Sequence, residues 1–358
     1  MNGFEVHDQM GENGSMHFRV LRTLMTSYLP VLQSSLYRKA QGAFQVELAA
    51  SDRRADGWTG IPTFPMAKKV VGTVNSFMFF GEELTNNSEF MQAALRYPQD
   101  VFVAGEALRF TPAFLAPTVA ALVTSRNWAS KTLVKHLTPL VEKRLQSRGA
   151  LDSQPQHLKP LDCVQWVIDS SPRKNPWTRT KIIQEILALW FGSVHQLAMT
   201  FVYALYDLCT FPEYVVPLRE ELENQLQHKH GQVGELQLDN LPLLDSFLRE
   251  SARMRPSDCI SVRRKALRPF AFSDGIRVDA GNWACVPQRA IMQDPALYPG
   301  GMAFDGFRFT GPVDRIDKDQ RPVPNKRAEE PGATPAKPGV KYTEINSKFP
   351  FWGLGKHA

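Results

Sequence analysis

Four cysteines in 358 residues is few, and Cys163, Cys209, Cys259 and Cys285 stand far apart with no CxxC or metal-ligand spacing. That argues against a disulfide scaffold or a structural zinc site and points to a reducing interior. The chain also lacks any block of lysine and arginine, although Lys and Arg outnumber Asp and Glu by 42 to 36. A net charge of +6 spread in this way does not suit nucleic acid and suits a face that meets an acidic protein. Met1 to Ser15 has no charged start followed by an apolar run, so neither a signal peptide nor a signal anchor is expected there. Internal repeats are absent. What is present is an apolar fraction of 43%, enough for a sizeable core in one large domain or two average ones.

Most of the chain carries helical periodicity. Val20, Leu21, Leu24, Leu29, Leu32 and Leu36 recur at three- and four-residue steps between about His17 and Val46. An apolar, phenylalanine-rich stretch follows at Val70 to Phe80, and a second, punctuated by proline, at Phe102 to Val123. Phe77–Phe80 and Phe102–Phe114 are candidates to enclose a lipophilic molecule, but residue by residue ordinary core is the better reading; the second stretch also suits a membrane surface. Trp128 to Leu145 is an amphipathic helix, Gly149 to Pro160 a linker, and Leu161 to Ile168 a short helix. Thr178 or Thr180 caps a helix that is apolar almost all round and runs to about Thr210. Such a helix is a buried axis or a membrane span. Glu185, His195, Gln196 and Asp207 interrupt it, and the cost of those groups in lipid favours the buried axis.

The pattern changes after Pro256. Cys259 to Ala266, Phe270 to Val278 and Trp283 to Val286 alternate like strands, with Ser273-Asp274-Gly275 as a hairpin turn. Arg315 to Lys348 is loop-like, rich in Pro, Lys, Arg and Glu. The expected fold is therefore mainly α with a small β portion late in the chain.

One constellation carries chemistry. Glu250-Ser-Ala-Arg253 places a carboxylate and a guanidinium on one helical face. Glu106 and Arg109 have the same spacing, so spacing alone decides little. Only the first pair is followed by a proline, strands and Asp305-Gly306-Phe307-Arg308-Phe309, whose Arg308 can fold back to complete a Glu–Arg–Arg network. A buried network of this kind needs every member.

The companions of that pair carry a family resemblance. Glu250-Ser-Ala-Arg253, Asp294-Pro295-Ala296-Leu297-Tyr298-Pro299, Phe304 to Phe309 and Trp352-Gly353-Leu354-Gly355-Lys356-His357-Ala358 occur in the order of successive signatures of the cytochrome P-450 family. The last resembles the first seven positions of the haem-binding signature Phe-Gly-x-Gly-x-Arg-x-Cys, in the form seen in filamentous fungi. The similarity runs from about His17 to Ala358.

The resemblance implies one incomplete cytochrome P-450 domain over residues 1–358, with a loop-rich segment at 315–348. It lacks the first helices and the anchor, and it stops before the axial cysteine. By that alignment no residue here binds the iron, since the thiolate would follow Ala358. The resemblance makes Arg263 a haem-propionate ligand, seven residues after Pro256, and gives His357 the same role. Trp352, Gly353 and Gly355 form the haem-binding loop, and Arg22 or His17 reaches a propionate from the first helix. Gly192, Ser193, His195 and Gln196 take the place where the family delivers protons to bound oxygen. Here His195 stands for an acid and Gln196 for an alcohol, and an amide relays protons poorly.

The resemblance further implies a haem-dependent monooxygenase. It would insert one oxygen atom from O2 into a lipophilic small molecule. Electrons would come from NADPH through a reductase, at the cytosolic face of the endoplasmic reticulum membrane. Two other readings stand beside it: a catalytically inactive truncated or pseudogene product, and a helical membrane protein spanning at Ile182–Cys209.

Overall fold

The computed structural model describes residues 19–54, 56–148, 159–228, 240–310 and 340–353, except the side chains of Arg22 and His228. These residues are mostly helical, as the sequence periodicity leads one to expect. They divide into two compact units, with the boundary between Met199 and Thr200.

In the first unit a π-helical turn, Arg19–Met25, runs into α1, Thr26–Ala49. A two-residue ribbon, β1 (Asp52–Arg53) with β2 (Thr59–Gly60), leads to α2, Thr63–Thr85. Then come α3 (Ser88–Arg109), α4 (Ala116–Val123), α5 (Trp128–Gln146), α6 (Cys163–Ser170) and α7 (Arg179–Phe191). Three starts are set by short polar side chains. Asn87 accepts from Phe90 N, Asp162 from Gln165 N and Thr178 from Lys181 N. Each satisfies an amide that the first helical turn leaves without a partner. Within α2, Gly81 sits at φ 81° and ψ 178°, which kinks the helix and which a side chain would resist. Gly72 serves another purpose, because a Cβ there would lie 2.2 Å from Leu95 Cδ2 on α3.

The core of this unit is apolar and aromatic. Phe80, Phe90 and Trp190 are at most 1% exposed, with ring centroids 4.9 Å apart for the Phe80–Phe90 and Phe80–Trp190 pairs. Trp190 also donates its Nε1 to the Ala94 carbonyl at 2.8 Å, so the one polar atom of the ring is satisfied where water is excluded. Burial of this kind is worth about 1.5–3 kcal/mol per large side chain.

The long helix expected from Thr178 to Thr210 is two helices. α7 ends at Phe191 and α8 spans His195–Thr210, with Gly192 to Val194 between them belonging to neither helix. The stretch Arg179–Thr210 is long and apolar enough for a membrane span by length and composition. The interruption lies in its middle.

The second unit begins within α8. It continues through α9 (Val215–His228) and α10 (Pro242–Met254) into β3 (Ser261–Lys265), β4 (Phe270–Ala271), β5 (Arg277–Val278) and β6 (Trp283–Val286), then α11, Gln288–Gln293. β3 pairs antiparallel with β6, and β4 with β5 across the expected Ser273-Asp274-Gly275 turn. The apolar cluster here is small: Ala252, Met292, Phe349 and Phe351. Much of the second unit is held by buried polar groups instead.

Candidate functional site: a buried ion network and a broken helix

Glu250 lies on α10 and is fully buried. Its carboxylate accepts Arg253 Nε and Nη2 at 2.7 and 2.8 Å, a two-pronged pairing. Arg308 Nε approaches both oxygens at 3.1–3.2 Å, and Asp305 N donates at 3.0 Å. The outer prongs of the two arginines bind backbone. Arg253 Nη1 donates to the carbonyls of Met292 and Gly301 at 2.7 Å, and Arg308 Nη1 to that of Pro299 at 2.7 Å. The network thus ties α10 to α11 and to the Asp294–Phe309 segment. Helix α10 is itself held at its start by Glu221 of α9, which accepts Leu243 N at 2.7 Å and Leu244 N at 3.0 Å.

Sequence reasoning missed Arg249. It is 1% exposed and donates Nη1 to the carbonyls of Lys341 and Glu344 at 2.7 and 2.8 Å. Its guanidinium lies 3.9 Å from the centroid of Phe349 and 5.1 Å from that of Phe309. Desolvation holds its pKa below the ordinary arginine value. Arg249 therefore fastens the segment that leads into Trp352. Nothing in its type or position sets it apart from the surface arginines, and adjacency to Glu250 was the only available hint.

Trp352 ends a short 3-10 turn, Pro350–Trp352, and donates Nε1 to the Tyr342 carbonyl at 3.1 Å. Gly353 follows at φ 93°, a conformation that favours glycine. Gly355 and His357 lie outside the described residues, as do His17 and most of 315–348, and the Arg22 side chain is not described.

Arg263 is exposed on β3. The register shifts between Ser261 and Arg264, and Val262 takes φ 50°, a strained value for a β-branched residue. This bulge re-aims the strand, and no carboxylate among the described residues pairs with Arg263. An accessible guanidinium of that kind can pair with a carboxylate such as a haem propionate, and exposure is also what an ordinary surface charge on a strand shows.

The other candidate residues lie in the first unit at the break between α7 and α8. Gly192 and Gln196 are exposed and Ser193 is half-buried. Ser193 donates both its amide (3.0 Å) and its Oγ (2.8 Å) to the Trp190 carbonyl, and Asn75 Nδ2 donates to the Ser193 carbonyl. His195 opens α8 half-buried, and among the described residues nothing reaches its Nδ1. Desolvation, then repulsion from the Lys68 ammonium, holds its pKa below the ordinary histidine range, which favours the neutral ring.

The aromatic candidates for a pocket wall divide between the core, the reading favoured for them residue by residue, and the surface. Phe79 and Phe80 are 3% and 1% exposed within the core, while Phe110 and Phe114 are 85% and 80% exposed on the surface. Runs of phenylalanine signal burial or a surface patch equally well. The first unit has a separate cleft of about 870 Å³, whose wall includes Tyr97, Val101, Ala104, Leu108, Ile183 and Leu187 from α3 and α7. That volume lies in the range of small-molecule sites.

Comparison with known proteins agrees with the motif order. The cytochrome P-450 monooxygenase olcJ of Penicillium canescens is 30% identical over 304 residues, 84% of this chain and 55% of the relative. A second such monooxygenase, AN1598 of Emericella nidulans, is also 30% identical, over 82% of this chain and 54% of the relative. The chain thus spans about half the length of the curated relatives it matches. Among solved structures, the retinoic acid-bound cyanobacterial CYP120A1 superposes with a TM-score of 0.57 at 20% identity, covering 82% of this chain and 59% of that one. The haem domain of cytochrome P-450DA reaches 0.62 at 13% identity, covering 98% and 67%. These two likenesses concern the fold. The sequence profile of the cytochrome P-450 family matches residues 17–322, and the chain belongs to that family.

Proposed function

We propose that the protein of which this chain is part is a haem-dependent monooxygenase acting on a lipophilic small molecule. The observation that carries this reading is the interruption of an otherwise apolar helix at Gly192–Val194, beside a half-buried histidine. At that point the family handles protons for bound oxygen. Haem held by a thiolate would supply oxygen activation and the insertion of one oxygen atom.

The residues of this chain do the rest. Arg263 would bind a propionate, joined by His357 and Arg22. Trp352, Gly353 and Gly355 would belong to the loop that receives the haem. His195, held neutral at its ring, accepts a proton or passes one from a water, and Gln196 holds that water by hydrogen bonds. The cleft between α3 and α7 excludes water from the substrate's apolar body. Glu250, Arg253 and Arg308 touch no reactant in this reading; they hold the scaffold on which Arg263 and Trp352 sit.

NADPH through a reductase is the proposed electron source, and the mild positive charge suits an acidic partner. The cytosolic face of the endoplasmic reticulum is the proposed location. The exposed Phe102, Phe110 and Phe114 are suited to rest against a bilayer. Residues 1–358 act as part of one catalytic domain in this reading.

The ferrous carbon monoxide difference spectrum tests the proposal. It is recorded on the chain as it stands and on the same chain continued through a cysteine directly after Ala358. A thiolate-type Soret band is expected only from the continued chain. Its absence there, with haem bound, would refute the reading. A thiolate band from the shorter chain would show that another cysteine ligates iron.

A further inference from the structure

The break between α7 and α8 is held from outside the helix. In an uninterrupted helix the Ser193 carbonyl accepts the amide of Leu197, four residues on. Here the ladder lapses earlier, with Ser193 N on the Trp190 carbonyl, and the four-residue pattern is next seen where Ala198 N donates to the Val194 carbonyl at 3.0 Å. The Ser193 carbonyl instead accepts Nδ2 of Asn75 from α2, 118 positions earlier in the chain, at 2.5 Å. Asn75 is 7% exposed and Ser193 half-buried, so the pairing is partly shielded from water.

Other causes of a break are weaker. Residues 191–197 contain no proline. Gly192 has φ −83° and ψ −7°, open to any residue, and a Cβ added to it would meet nothing within 4 Å. Its backbone therefore does not force the chain out of the helix. A side chain inserted into the helical ladder is a general cause of such a break.

We propose that Asn75 is a positioning residue: its amide keeps the helix open at Gly192–Val194 and so fixes where His195 and Gln196 stand. The meaning of this for oxygen chemistry rests on the function proposed above, whereas the hold itself does not. Asparagine suits the task because it offers an N–H on a short side chain. An aspartate has the same shape without the donor, and a leucine has similar volume without polarity.

Amide hydrogen exchange on the chain without haem tests the proposal. In the unaltered protein the Leu197 amide should exchange about tenfold or more faster than that of Ala198. In Asn75→Asp and Asn75→Leu the helix should close, so that the Leu197 amide slows by about tenfold while α2 and α7 keep their protection. In Ser193→Ala, which removes only the Oγ bond to Trp190, Leu197 should stay fast. Three results would overturn the proposal: equal protection of Leu197 and Ala198 in the unaltered chain; protection lost across α2 and α7 with Leu197 still fast in both Asn75 variants; or closure in Ser193→Ala alone. The readout needs no iron, so its failure is separate from a failure of the carbon monoxide spectrum.

Discussion

Two glutamate–arginine pairs in this chain share one spacing and differ in nearly everything else. Glu106 and Arg109 on α3 approach to 3.1 Å with half or more of each side chain exposed. Glu250 and Arg253 on α10 approach to 2.7 Å with neither exposed. A three-residue step on a helix is enough to make a pair. It does not make a pair matter. The second one matters because Arg308, Asp305 N and five backbone carbonyls arrive from far along the chain and leave no charge unanswered.

The largest effect expected from this contrast is at Glu250. Glu250→Gln keeps the shape and removes the charge, leaving two buried or nearly buried guanidiniums facing an amide. A loss of about 3–5 kcal/mol in unfolding free energy is expected, read by urea denaturation. A loss below about 1 kcal/mol would mean that the network is as dispensable as a surface pair.

An intermediate effect is expected in the apolar first unit, where volume rather than charge does the holding. Leu137 on α5 is fully buried in the aromatic and aliphatic core. Leu137→Ala should cost about 2–5 kcal/mol, and Leu137→Met less than about 1.5 kcal/mol, in the same denaturation experiment. Equal costs for the two would show that packing there is not specific.

The smallest effect is expected at the exposed pair. Arg109→Ala should change stability by less than about 0.5 kcal/mol, and raising the salt concentration should shrink even that. A larger change would indicate that α3 contributes more through this arginine than its exposure suggests.

Much of this arrangement was legible in the sequence because it is local or ordered. The helix cap at Thr178, one of the two threonines the sequence offered, and the turn at Ser273–Gly275 follow from short-range rules. The Glu250–Arg253–Arg308 meeting was legible from the order of motifs, and spacing alone did not separate it from Glu106–Arg109.

What could not be read depends on contacts between distant segments. The apolar stretch from Thr178 to Thr210 looks like one helix, because nothing local predicts that an asparagine 118 positions away will take the Ser193 carbonyl. Arg249 looks like any basic residue on a helix until the loop at 341–349 closes over it. Phe79 and Phe114 are the same residue type, yet one is 3% exposed and the other 80%. Hydrophobicity states that a side chain avoids water and leaves open what covers it.

The central claim is that one buried carboxylate organises the second unit, and a pair of double-mutant cycles measures it directly. The coupling between Glu250 and Arg308 should be about 2 kcal/mol or more, and that between Glu106 and Arg109 at most about 0.5 kcal/mol. Couplings of equal size in the two cycles would contradict the account.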